Sequence, residues 1–296
     1  MPRAPGTRVF ATLLIILLCA FAGSAAGQTA AADALERKTI ARLQALDERT
    51  EGVVGVAAID LTDGHTLAWN PDVICASAST IKVPVMIEVY RQQIPRGRQL
   101  TLAPSDLIAS SDRLEVLLRR GPATFTVREL LAAMIEVSDN TAANTLIKLV
   151  GMDRVNAALE QMGLKATRLR RIMLDSAAAR RGDDNTATPL ELAKLAEFLY
   201  RGEGADAEEM TGFLKRVEAG VRKAVPAAVD VASKPGEVPG ARSELAIVYL
   251  QGRPFALGVM SAFLRDGVDP VPEAASIVYG HFERLARSNR YGNRLP

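Results

Sequence analysis

Ser79 and Lys82 put a hydroxyl and an amine three residues apart, on one face if the chain is helical there. A neutral amine beside a hydroxyl takes its proton and leaves a nucleophile. At a helix N-terminus the backbone N–H of Ser79 and the helix dipole would also favour a developing anion. Pro84 cannot donate to the carbonyl of Thr80, so the helix start is expected to be irregular. Two polar triplets follow, Ser138-Asp139-Asn140 and Lys234-Pro235-Gly236. Alone, the first reads as a helix cap and the second as a turn. Taken in this order they supply what acyl transfer needs.

Ser138 is the candidate to hand a proton to a departing amine nitrogen. Asn140 can hydrogen-bond both Lys82 and a substrate amide. Lys234, expected at a strand end, supplies a cation for a substrate carboxylate and makes Lys82 easier to deprotonate. Gly236 lets a substrate lie against the strand edge, and the N–H of Glu237 would join that of Ser79 as an oxyanion donor. Arg242 reads equally as a further carboxylate ligand or as a surface arginine at a strand start.

The elements that must hold these residues fall into three blocks. Residues 31–49 form an amphipathic helix with Leu35, Ile40, Leu43 and Leu46 as its stripe; residues 53–61 and 66–69 form strands about a Thr62-Asp63-Gly64 turn. From Ser79 to about Gly220 the pattern is nearly all helical. Helices are expected over 126–135, from a cap at Asp139 or Asn140 to Gly151, and from a Thr188-Pro189-Leu190-Glu191 capping box to about Arg201. Between Arg168 and Thr188 lies a long polar loop of the kind that is functional or mobile. Strands return over 228–234, 243–250 and 255–263, and a helix over 270–287 closes the chain. Strands at both ends around a helical block imply an α/β two-lobe fold. An antiparallel sheet flanked by terminal helices (about 30–76 and 220–296) carries an inserted all-helical lobe (about 77–219).

Composition sets the context. Arg3 and Arg8, the apolar run 9–21 and small Ser24-Ala25-Ala26 read as an export signal cleaved near Ala26 or Gly27. That leaves a domain over 27–296 in a periplasmic or secreted protein; an uncleaved anchor or a lipoprotein at Cys19 is the weaker reading. Cleavage takes the formal charge from +2 to zero, so nothing points to nucleic acid. Cys75 would be left without a partner, a small buried hydrophobe. With only His65 and His281, the chain offers no zinc cluster and little for a Ser-His-Asp triad, and no metal or cofactor is expected.

In these motifs, and in Ser138-Asp139-Asn140-Thr141-Ala142-Ala143-Asn144, Ala166-Thr167-Arg168-Leu169 and Lys234-Pro235-Gly236, the chain resembles the class A serine β-lactamases, within the β-lactamase and penicillin-binding superfamily. The resemblance covers nearly the whole mature chain. It implies the two-lobe serine β-lactamase-like fold, a cleft between the lobes, acyl-enzyme chemistry on a β-lactam or peptidoglycan-like small molecule, and a monomer. The polar loop falls where that family has its Ω-loop. Two departures stand out. The family's Ω-loop glutamate, which activates the deacylating water, falls on Met173, and methionine is no base. Asp175 is the nearest carboxylate and the candidate replacement. Pro235 stands where the family carries a hydroxyl.

Three functions follow: a class A-like β-lactamase with slow deacylation, a penicillin-recognising D-alanyl-D-alanine peptidase or esterase using the same Ser79 and Lys82, and a penicillin-binding protein that is acylated once and stays blocked.

Overall fold

A computed structural model of the chain describes residues 30–295, with the exception of 109–111, 203 and 219; the expected export signal lies outside the described residues. The chain runs α1 (Ala30–Arg49), β1 (Val53–Asp60), β2 (Thr66–Trp69), β3 (Cys75–Ala76), a 3₁₀ turn (Ala78–Ile81) and α2 (Lys82–Arg91). Then come β4 (Gln99–Leu102), α3 (Asp112–Leu118), β5 (Ala123–Thr126), α4 (Val127–Glu136), α5 (Asn140–Val150), α6 (Met152–Gln161), α7 (Ser176–Arg180), β6 (Thr186–Ala187), α8 (Pro189–Arg201), α9 (Gly204–Lys215) and α10 (Gly220–Ala224). Last are β7 (Val231–Val238), β8 (Ala241–Val248), β9 (Phe255–Ala262) and α11 (Val271–Ala286).

One antiparallel sheet, in the order β2-β1-β9-β8-β7, draws its strands from both ends of the chain. Its two faces feed two cores, and the alternation along β1 divides between them: Val54, Val56 and Ala58 pack with residues of α1 and α11, while Ala57 and Ile59 pack on the α8 side. Only this double burial explains a strand so apolar throughout. Close approach of α8 needs glycine in the sheet: a Cβ on Gly258 would lie 2.1 Å from the carbonyl of Pro189. Beyond α8, helices α2, α4 and α5 surround a large apolar cluster that includes Val85, Met86, Leu130, Leu131 and Leu146.

Thr126 and Glu129 close a reciprocal capping box on α4 that the sequence reading does not single out, and of its two candidates Asp139, not Asn140, caps α5 by accepting from Ala142 N. Elsewhere the chain departs from its sequence pattern. The helical block also contains the β4–β5 hairpin and the β3–β6 pair. Helices α9 and α10 carry no strong sequence signal. Thr188 caps α8, but Glu191 does not close its box; its carboxylate instead accepts from the N–H groups of Ala166 and Thr167 and from the Thr167 hydroxyl. The last strand falls where expected, but β7 and β8 are shifted, and β7 continues through Pro235 and Gly236, so Lys234 lies mid-strand and not at a strand end. As the outer strand of the sheet, β7 tolerates a residue with no N–H on its open side.

Candidate active site

Ser79 sits in the 3₁₀ turn that leads into α2, and Lys82 is the first residue of that helix. Ala78, just before the nucleophile candidate, has φ +46°, a left-handed conformation that costs a non-glycine residue energy. Ser138 is held the same way at φ +59°. Such strain persists only where the surrounding structure imposes it.

The Lys82 ammonium is fully buried and donates to the carbonyl of Ser138 at 2.5 Å, to Ser138 Oγ at 3.0 Å and to Asn140 Oδ1 at 2.9 Å. Lys234, 1 % exposed, reaches the same Ser138 Oγ from the opposite strand at 3.1 Å and also donates to the carbonyl of Pro235 at 2.9 Å. Ser138 Oγ therefore accepts from two lysines, which leaves its own proton to donate. Burial, then the neighbouring Lys234 charge, hold Lys82 well below the usual lysine range, with Asp139 opposing them. Burial lowers Lys234 to about 7 despite the charge of Glu244. Both lysines are therefore easier to deprotonate than a free lysine. Among the described residues Ser79 Oγ has no hydrogen bond, so it is free for a reacting group.

Gly236 lies against the nucleophile's backbone: a Cβ there would meet Ser79 N at 2.7 Å and Ser243 Oγ at 2.5 Å. Pro235, opposite Glu244, can only occupy a non-hydrogen-bonded pair, because it has no N–H for β8. Glu237, two residues on and opposite Arg242, shares that phase, so its N–H points to the open edge of β7 beside Ser79. Arg242 is engaged: it pairs with Glu237 at 2.7 Å and donates to the carbonyls of Val238 and Ala241.

The loop from Arg168 to Thr188 is tied down along its length. Arg168 and Thr186 bridge its base, Arg171 pairs with Asp184 at 2.8 Å, and Asn185 Oδ1 accepts from the N–H groups of Arg170 and Arg171. Asn144, one turn after Asn140 on α5, grips Met173 by both backbone groups: Met173 N donates to its Oδ1 at 2.7 Å and its Nδ2 donates to the Met173 carbonyl at 3.2 Å. Residue 173 is therefore fixed beside the helix whose first turn holds Lys82. Its thioether is 6 % exposed and joins the core. Asp175 is not brought to this cluster. Its Oδ1 caps the short helix α7 by accepting from Ala178 N at 2.9 Å, and it does not line the cleft at Ser79.

That cleft, about 390 Å³, is lined by Ser79, Ser138, Lys234 and Gly236 and continues past Pro235 to Glu244. Sequence reasoning gave no role to Asn144 or Glu244. The i, i+4 spacing of Asn140 and Asn144 could have revealed the first. No local signal marks the second, whose place depends on the pairing of β7 with β8. Among the described residues no group of three or more His, Cys, Asp and Glu side chains could hold a metal ion.

Residues 38–282 match the model of the β-lactamase enzyme family. The chain is 31 % identical over 238 residues to β-lactamase AST-1 of Nocardia asteroides, covering 75 % of this chain and 76 % of that one. It is 28 % identical over 251 residues to β-lactamase ROB-1 of Haemophilus influenzae, covering 80 % of each. Among solved structures it resembles a class A β-lactamase from Mycobacterium abscessus, with TM-score 0.74, 27 % identity, and coverage of 83 % of this chain and 99 % of that chain. It is also similar to an ancestral class A β-lactamase, with TM-score 0.74, 27 % identity, and coverage of 82 % of this chain and 100 % of that chain.

Proposed function

The chain belongs to the β-lactamase enzyme family, as a class A serine hydrolase acting on β-lactams, and from that premise we propose that it acylates readily on Ser79 and deacylates slowly. The observation that carries the first half is Ser138 Oγ held between Lys82 and Lys234. Neutral Lys82 takes the Ser79 hydroxyl proton as Oγ attacks the lactam carbonyl. The N–H groups of Ser79 and Glu237 receive the negative charge that develops on the carbonyl oxygen. As the C–N bond breaks, Ser138 gives its proton to the nitrogen and draws another from the Lys82 ammonium it contacts, which returns the lysine to its neutral state.

Hydrolysis of the resulting ester needs a base for the attacking water. Met173 occupies the position fixed by Asn144 and offers none, while the Asp175 carboxylate is committed to α7. Loss of a general base typically costs about a hundred- to ten-thousand-fold in rate. Met173 is equally what favours the second reading, a penicillin-binding protein that is acylated once and keeps its acyl group. Export through residues 1–26 and action as a monomer in the periplasm or outside the cell belong to the same proposal.

One experiment tests both halves. Mature protein is mixed with a penicillin, and its intact mass and the free hydrolysed product are followed together. The expected result is a burst of lactam ring opening equal to the enzyme, with the acyl adduct visible, followed by slow release of the free hydrolysed product. A linear progress curve with no adduct would overturn the slow-deacylation reading, and an adduct that never decays would favour the blocked form.

A further inference from the structure

The zero net charge of the chain without residues 1–26 conceals an uneven distribution. Helices α1 and α11 pack antiparallel: Arg49 pairs with Glu273 at one end, and Thr39 Oγ1 meets His281 Nδ1 at 3.1 Å further along. The first half of α1 therefore lies beside the C-terminal end of α11 and the residues after it. Residues 30–42 and 281–295 together carry seven basic side chains against three acidic ones, a net charge of +4, so the rest of the cleaved chain carries −4. Two of the three acids are engaged, Glu36 by His65 at 2.8 Å and Glu283 by Arg287 at 3.1 Å. Arg37, Lys38, Arg42, Arg284 and Arg294 are exposed, and among the described residues no carboxylate pairs with any of them.

The segment after α11 is a tied hairpin. Leu295 N donates to the Arg287 carbonyl at 2.8 Å, Asn289 N donates to that of Asn293 at 2.9 Å, and Asn289 Oδ1 accepts from Tyr291 N and Asn293 N. Its tip carries Tyr291, 64 % exposed, with the Arg290 guanidinium 4.8 Å from the ring centre; Leu295 is 51 % exposed. Charge alone would suit any polyanion. A tyrosine and a leucine held out among arginines suit a surface that is anionic outside and apolar beneath, because tyrosine rings settle at headgroup level while Lys and Arg meet the phosphates. No described helix is long and apolar enough to cross a membrane, so such a contact is peripheral.

We infer that this end of the molecule, formed by the first half of α1, the end of α11 and the 287–295 hairpin, docks on the anionic phospholipid surface of a membrane. Val271, at the other end of α11, lines the Ser79 cleft about 22 Å away at 1.5 Å per residue, so the cleft stays open in the docked protein. The inference stands apart from the acylation reading and holds whatever Ser79 attacks.

The test is sedimentation of protein lacking residues 1–26 with vesicles of phosphatidylcholine, alone or mixed with phosphatidylglycerol. At about 0.05 M salt the mixed vesicles should bind it at least about tenfold more tightly, and the difference should vanish at about 0.5 M. Arg284→Gln combined with Arg294→Gln should weaken binding to the mixed vesicles at least about tenfold, since each basic group near such a surface contributes about fivefold. Tyr291→Ser leaves the charge unchanged and should weaken it about threefold. All three substituted side chains are exposed, and urea unfolding midpoints equal to the parent's show that the variants fold. Equal binding to the two kinds of vesicle, or parental binding by either variant, overturns the inference. So does tighter binding to an oligodeoxythymidylate than to the mixed vesicles, which would mark a site for soluble polyanions.

Discussion

The site has two sides built with similar care and opposite chemical outcomes. On the Ser138 side, groups that can move a proton converge: Lys82 and Lys234 meet on one hydroxyl, and Asn140 and the Ser138 carbonyl hold Lys82 in place. On the loop side, Asn144 fixes the backbone of Met173 with two hydrogen bonds, and Asn185 and the Arg171–Asp184 pair fix the segments around it. The second scaffold is as well satisfied as the first, yet it presents a thioether. Backbone hydrogen bonds of this kind hold a residue in place whatever chemistry its side chain offers, and under the proposed function the place held on the loop side is that of the deacylating base.

The comparison breaks most completely at the nucleophile. Ser79→Ala is expected to abolish covalent labelling by a penicillin or a fluorophosphonate, seen as the absence of any mass adduct; unchanged labelling would remove the assignment. Lys82→Arg should lower the acylation rate by about a hundredfold or more, because a guanidinium does not deprotonate in a protein. Lys234→Arg should stay within about tenfold of the parent, since that position needs mainly charge. Equal losses from the two would contradict the division of labour between the lysines.

Met173→Glu sharpens the comparison from the other side. Single-turnover decay of the acyl adduct should speed up by about ten- to a hundredfold, since a carboxylate would stand where the fold already fixes the backbone. Because Met173 is 6 % exposed within the core, the same change should cost about 1–3 kcal/mol in urea unfolding. Unchanged decay in a folded variant would mean that residue 173 does not face the ester.

Smaller effects concern protons and caps. The Lys234 charge lowers the Lys82 pKa, so Lys234→Met should raise it. The base must be neutral to act, and the rising limb of acylation against pH should therefore move to higher pH; a shift to lower pH would refute the coupling. Asp175→Asn should leave adduct decay unchanged, whereas Asp175→Ala should cost about 1 kcal/mol of stability through loss of the α7 cap. Slower decay in Asp175→Asn would show that this carboxylate reaches the ester after all.

The sequence by itself determined the signals that lie within one helical turn of each other, and it offered the candidates for the chemistry. Ser79 with Lys82, the cap at Asp139 or Asn140 and the glycine at 236 are legible because each depends on nearby backbone geometry. The identity of the long elements followed from periodicity, but the short pairs β3–β6 and β4–β5 did not, nor did the edges of β7 and β8, since pairing with a neighbour makes or extends a strand past its own propensity. Only the tertiary structure decided where side chains end. Lys82 and Lys234 meet Ser138 across 56 and 96 residues of chain. Glu191 leaves its capping box for the base of the loop, Asp175 caps α7 through Oδ1, and Glu244 comes to floor the cleft. A side chain takes the partner that strand register and packing bring within about 3 Å, and neither is written in its neighbours along the chain.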